Sequence, residues 1–139
     1  MRRRLAREVA LTALFQVDTG AQPLERALAF AVQLGGDEAV SAFAQELAEG
    51  VLASLGRLDA AIAGHAAGWS VSRMPVVDRN ILRLACYEIL CMADQPAAVA
   101  ISEAVELAKK YGSAESPRFI NGVLGSIARQ AGAVEVSQP

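Results

Sequence analysis

The sequence predicts an all-α fold, a single compact domain of about seven helices in two small helical bundles. Three observations carry this. Ala, Leu and Val abound while aromatic residues make up only 5% of the chain, and Ala and Leu lose little side-chain entropy in a helix. Apolar residues recur at spacings of three and four, and no stretch alternates with period two for long enough to make a strand. Glycine and proline punctuate the chain at intervals of helix length. With 139 residues, 53% of them apolar, one domain can bury a real core.

Each element follows from its punctuation. A first helix runs from about Arg2 to Asp18, closed by Thr19-Gly20. Pro23 opens a second with Leu24, Leu28, Ala31 and Val32 on its apolar face, and Gly35-Gly36 ends it. Asp37 caps a third whose stripe is Val40, Phe43, Leu47, Val51 and Leu55. Gly56 breaks that stripe, and a short fourth helix carries Leu58, Ile62 and His65. Pro75 restarts the chain in a helix reaching Met92, and Pro96 starts another that runs to Tyr111 with Gly112 as its C′ residue. Ser116 as N-cap and Pro117 at the first helical position open the last helix, which continues to about Ala131. The domain spans 1–133, with halves 1–68 and 69–133 meeting near Trp69 and a flexible tail over 134–139.

The net charge of −2 does not announce a nucleic-acid binder, but its distribution says more than the sum. Arg2, Arg3, Arg4 and Arg7 place four of the 13 basic residues in the first seven positions. Such a cluster makes a local positive field. It suits phosphate contact or a merely solvated helix start. On a helical wheel Arg4, Glu8, Leu11 and Phe15 form one ridge, while Leu5, Val9, Ala13 and Val17 form the opposite, core-facing stripe. Leu11 and Phe15 on the charged side imply either a docking ridge for another protein or a central helix covered on both sides.

Catalytic chemistry is not written here. The single histidine, His65, reads as a satisfied residue at a helix edge. Glu103 and Glu106 share a helix face, but Lys110 four residues beyond Glu106 makes an ion pair the simpler account. Cys86 and Cys91 lie about 140° apart on a helix, too far around to bridge, and read as reduced core residues. No phosphate loop, zinc set, nucleophile elbow or Glu-x-x-His pair occurs, so no catalytic residue, metal or cofactor is expected. No signal peptide or membrane span is legible, which predicts a cytoplasmic protein.

Two helices carry residues that need explaining. Val77, Ile81, Leu84 and Glu88 fall within about 40° of one line, which puts an acid on an apolar stripe. Glu88 is expected to be buried in a structural hydrogen-bonding role. In the last helix Ile120, Val123, Leu124 and Ile127 make the buried stripe, Arg118 points away from it, and Phe119 lies at its margin. Free amides at that helix start, an arginine and a marginal ring suit RNA, with the backbone drawing phosphate and the ring stacking on a base. Ordinary packing of Phe119 is the other reading.

Six segments resemble the NusB family of transcription antitermination factors. They are Arg3-Arg4-Leu5-Ala6-Arg7, Ala13-Leu14-Phe15, Val77-Asp78-Arg79-Asn80-Ile81-Leu82-Arg83, Tyr87-Glu88, Ile101 through Lys109, and Phe119-Ile120-Asn121-Gly122-Val123-Leu124. The resemblance spans about residues 2 to 130 in order. It implies two three-helix-like subdomains, a partnership with the small-subunit ribosomal protein that doubles as NusE, and binding of boxA-type single-stranded RNA by the pair. It also implies action on the transcription elongation complex, notably read-through in ribosomal RNA operons.

Matched by position, Arg2, Arg3, Arg4, Arg7, Arg118 and Phe119 fall on the family's RNA-contacting places. Phe15 stands where the family often has a tyrosine near the partner protein, and lacks its hydroxyl. Asp78 matches an acid at the partner surface, with Arg79 beside it in a first turn expected to be accessible. Pro117 replaces a polar residue. Some relatives form homodimers that hide the RNA surface, so a homodimer stays open. Two rivals stand beside this reading. One is a module like the N-terminal domain of ribosomal RNA 5-methylcytosine methyltransferases, whose catalytic α/β domain 139 helical residues cannot hold. The other is a helical protein–protein adaptor without an RNA role.

Overall fold

A computed structural model of the chain describes residues 2–20, 22–92 and 94–132; the tail expected over 134–139 lies outside them. Among the described residues there are seven α-helices and no strand: α1 (Arg3–Gly20), α2 (Leu24–Ala31), α3 (Glu38–Ala53), α4 (Leu55–His65), α5 (Val76–Cys91), α6 (Ala97–Tyr111) and α7 (Ser116–Gln130). Single 3-10 turns occupy Val32–Leu34 and Val71–Arg73. The helices sort into two compact units, Met1–Ala53 and Ser54–Pro139. This division falls after Ala53, not at the residue 68 expected from sequence. Leu58 and Ile62 of α4 are wholly buried, and α4 packs on α5 and α7, so the fourth helix belongs with the second half.

In the first unit α1 packs against α2 and α3. Val9, Ala13 and Leu14 are buried together with Ala27 and Ala31 of α2 and with Val40, Phe43, Leu47 and Val51 of α3. Ala6, Ala10 and Leu11 are buried as well, so most of the circumference of α1 is interior. Leu11 is therefore a core residue, and on the expected ridge only Arg4 and Phe15 stay exposed. The start of α3 is built as its sequence dictates. The Val40 amide donates to Asp37 Oδ1 at 3.0 Å, capping the helix. Gly36 sits at φ 101°, where a side chain would also come within 2.6 Å of Val40 Cγ1, and only glycine tolerates both demands.

The second unit is held by apolar faces and a few specific polar links. α6 and α7 pack against each other and both pack on α5. Ile81, Leu82 and Leu84 of α5 and Ile120, Leu124 and Ile127 of α7 are buried between them. The break before α4 comes at Ser54 and not at Gly56, so Leu55 starts α4 and does not extend the stripe of α3. Arg83 grips Asp59 with both ends of its fork, Nε to Oδ1 at 2.8 Å and Nη2 to Oδ2 at 2.9 Å, which ties α5 to α4. His65 Nδ1 meets Ser126 Oγ at 2.6 Å and Nε2 meets Gln130 Oε1 at 2.5 Å. Both ring nitrogens are occupied in joining α4 to α7, the satisfied state expected of it. Glu88 is buried on the apolar stripe as expected. Glu106 pairs with Lys109, at 3.3 Å, rather than with Lys110, whose ammonium lies 5.4 Å from the Tyr111 ring centre.

Candidate nucleic-acid interface

The basic start of α1 is less uniform than its sequence suggests. Arg2 and Arg4 are exposed. Arg3 lays its guanidinium 4.6 Å from the centre of the Phe43 ring, which positions it on the surface of the first unit through a cation–π contact. Arg7, expected to join them, is only 3% exposed. Four residues along a helix from Arg3, it turns toward the buried face that Ala6 and Ala10 occupy, so it belongs to the interior and not to a phosphate-binding cluster.

The start of α7 is shaped by a tight joint with α6. Glu115 is the N-cap and Ser116 the first helical residue, one step earlier than the sequence suggests. Ser116 instead uses its hydroxyl between elements: Oγ accepts from the Ser113 amide at 2.9 Å and donates to Asp78 Oδ1 at 2.8 Å. Gly112 is not left-handed but extended, at φ −96° and ψ −168°. Glycine is needed there for room, because a Cβ would lie 2.6 Å from Ser116 Oγ and 2.9 Å from the Ala108 carbonyl. The Ser116 amide donates to the Ser113 carbonyl at 3.1 Å and Pro117 has no N–H. The backbone therefore offers an anion less than expected, and the exposed Arg118 side chain supplies the positive charge.

Phe119 is half-buried at the margin of the core, as its position on the wheel implies. Its ring meets Trp69 edge to face, with centres 6.1 Å apart and planes at 61°. Both rings line a cavity of about 350 Å³ together with Met74, Pro75, Asp78, Ser113, Glu115 and Ser116. Trp69 is 50% exposed. From sequence it reads only as a boundary marker between the halves, not as a wall of this cavity. The available signal was a lone tryptophan after Gly68 in a chain poor in aromatics.

The residues expected at a partner surface divide. Phe15 is 38% exposed, so a large ring does face outward from α1. Asp78 is 5% exposed, against the accessibility expected of it, because its carboxylate is drawn inward to the Ser116 hydroxyl. Arg79 is half-buried, with Nη1 donating to the Ser72 carbonyl at 3.3 Å. Among the described residues no group of His, Cys, Asp or Glu could hold a metal ion, and no helix is long and apolar enough to cross a membrane.

These features define a class, an all-helical protein with exposed arginines at the starts of α1 and α7 and an aromatic-walled cavity beside the latter. Residues 4–129 match the model of the NusB family. The chain is 47% identical over 131 residues to the transcription antitermination protein NusB of Heliobacterium modesticaldum, covering 94% of this chain and 64% of that protein, less than two thirds of its length. With NusB of Desulfitobacterium hafniense it shares 49% identity over 130 residues, 91% of this chain and 88% of the other. The T. maritima NusB structure superposes with a TM-score of 0.87 at 37% identity, covering 94% and 92%. A structure of the antitermination factors NusB and NusE in complex with dsRNA gives 0.84 at 25% identity, covering 92% and 96%. The chain belongs to the NusB family.

Proposed function

We propose that this chain is a transcription antitermination factor that acts in the cytoplasm by binding alone. It binds boxA-type single-stranded RNA together with the ribosomal protein NusE and promotes read-through by the elongation complex in ribosomal RNA operons. The observation that carries this reading is family membership over residues 4–129, joined to an aromatic cavity wall at Phe119 beside the exposed Arg118. Arg2, Arg3, Arg4 and Arg118 meet phosphate, and Phe119 meets a base. Phe15 and Arg79 contribute to the NusE surface. Asp78 and Arg7, being buried, do not serve as exposed contacts.

The cationic surface is small on a chain of net charge −2, so few phosphates are neutralised and binding by this chain alone is weak. Fluorescence anisotropy with a boxA-type RNA, at one fixed salt concentration, tests this. Affinity rises when NusE is added. Equal affinity with and without NusE, or no binding in either case, would sink the assignment.

A further inference from the structure

The groove between α2 and α3 of the first unit is built from side chains that the sequence assigns to the core. Leu24, Leu28, Ala31 and Val32 read as the apolar face of α2, yet the helix buries only Ala27 and Ala31. Its small residues go inward, where α2 packs on α1. Leu24 and Leu28 are half-buried and Val32 is 36% exposed. At spacings of four these three form one row along α2 and its C-cap, with the exposed Ala29 beside it. Ser41, Gln45 and Glu49 of α3 make the far wall, and the groove between holds about 340 Å³.

The charges around this groove share one sign. Glu25 and Glu49 line it, one on each wall, with no lysine or arginine. Gln45 Nε2 donates to Glu49 Oε2 at 2.8 Å, which holds that carboxylate at the edge. From Leu24 to Ala53 there are five acids (Glu25, Asp37, Glu38, Glu46 and Glu49) and one base, Arg26, a net charge of −4. Such a face repels phosphate and draws cations. The backbone narrows the occupant further. Both walls are helices, whose backbone groups bond within the helix, so an extended peptide finds no strand edge to join. A helix brings its own hydrogen bonds. Leu24 to Val32 and Ser41 to Glu49 each rise ~12 Å, room for about two turns.

We infer that this groove docks an amphipathic α-helix of a further protein, one whose apolar stripe is flanked by lysine or arginine. The stripe covers Leu24, Leu28 and Val32, and the flanking cations meet Glu25 and Glu49. None of the residues assigned above to RNA or to NusE lines the groove, so the site is separate from both. A second copy of this chain offers no such stripe from its arginine-rich helix, because Val9, Leu11 and Leu14 of α1 are buried in their own unit.

The probe is a fluorophore-labelled, end-capped peptide of about four turns, with leucine at every third or fourth position and lysine on both flanks. Anisotropy follows its titration with the full chain, beside a scrambled peptide of the same composition and one with glutamate for lysine. Saturable binding of the lysine peptide alone is expected. Ala29→Lys, at an exposed position outside the core, fills the groove and weakens binding about tenfold or more. The double variant Glu25→Lys, Glu49→Lys does the same and now binds the glutamate peptide. Phe30→Ala keeps the parental affinity, because that ring is 52% exposed but outside the lining. Added NusE leaves the affinity unchanged. No saturable binding, equal binding of the scrambled peptide, or parental affinity in Ala29→Lys would overturn the assignment. Displacement of the peptide by NusE would overturn it by giving the groove to that partner. Retention on phosphatidylcholine vesicles, abolished by Val32→Ser, would overturn it by making the face a lipid contact.

Discussion

At the scale of single residues, the N-terminal arginines show how one sequence motif divides into two physical roles. Arg2 and Arg4 are exposed, whereas Arg7 is buried, and a buried charge persists only where the interior satisfies it. Arg7→Ala should therefore cost about 3 kcal/mol of folding stability, while Arg2→Ala and Arg4→Ala should stay within about 0.5 kcal/mol. Urea melts of the three variants check this, and a stable Arg7→Ala protein would return that side chain to the surface cluster. Phe119 poses the opposite question. A wholly buried phenylalanine loses ~3–5 kcal/mol on truncation to alanine. Phe119 is half-buried and has Trp69 against its ring, so Phe119→Ala should cost about 1–2 kcal/mol of stability, with the aromatic pair near ~1 of that. Its RNA affinity should fall by ~1–3 kcal/mol. Arg118→Ala is the control, weakening RNA without touching the melt. A large stability loss with normal RNA binding would make Phe119 a packing residue.

At the scale of elements, helix positions were legible because punctuation and periodicity are local. Pro23, Pro75 and Pro96 each stand one residue before the helix that sequence assigns them. Local rules failed where a residue's partner comes from far along the chain. Ser116 reads as an N-cap, but its hydroxyl serves Ser113 and the distant Asp78. Gly112 reads as a C′ glycine, chosen for its backbone freedom, yet it is glycine because Ser116 crowds it. Gly112→Ala should therefore destabilise by about 1–3 kcal/mol through overpacking. Ser116→Ala should cost about 1–3 kcal/mol by removing a donor from a buried carboxylate. Thermal melts would show both, and a neutral Gly112→Ala would mean that the joint relaxes freely. α5 adds a pH signature. Burial is the main cause that pushes the Cys86 thiol from 9.0 up to about 12, with Cys91 adding to it. The raised value favours the neutral thiol in the folded state. Its contribution is full below pH 9 and is lost as pH rises toward about 12, where the unfolded chain ionises first. Cys86→Ala should flatten that part of the stability profile, and an unchanged slope between pH 9 and 12 would discount the thiol.

At the scale of the whole molecule, fold class and family follow from sequence because both rest on many residues at once. The site was less legible, since exposure is a property of packing. Nothing in the Arg2–Arg7 run distinguishes the buried Arg7 from its exposed neighbours until α1 is seen to be interior around most of its circumference. Likewise Trp69 gains meaning only when α7 brings Phe119 to its edge. The same packing sets how strongly the molecule responds to salt. With Arg7 interior, the phosphate contacts proposed come down to Arg2, Arg3, Arg4 and Arg118. On a single strand each neutralised phosphate contributes ~0.7 to the slope of log affinity against log salt. The slope for this chain alone should then be about −3. Replacing Arg2, Arg3 and Arg4 together with alanine should reduce it by about 2, on boxA-type and scrambled RNA alike, because phosphate contacts carry no sequence information. Phe119→Ala should leave the slope unchanged while lowering affinity at every salt concentration. Anisotropy titrations between 50 and 200 mM salt, a range over which ~0.7 per phosphate is resolvable, separate these outcomes. A triple variant with the parental slope would show the arginines at the start of α1 to be solvated only, and would leave Arg118 and Phe119 on α7 as the RNA contacts.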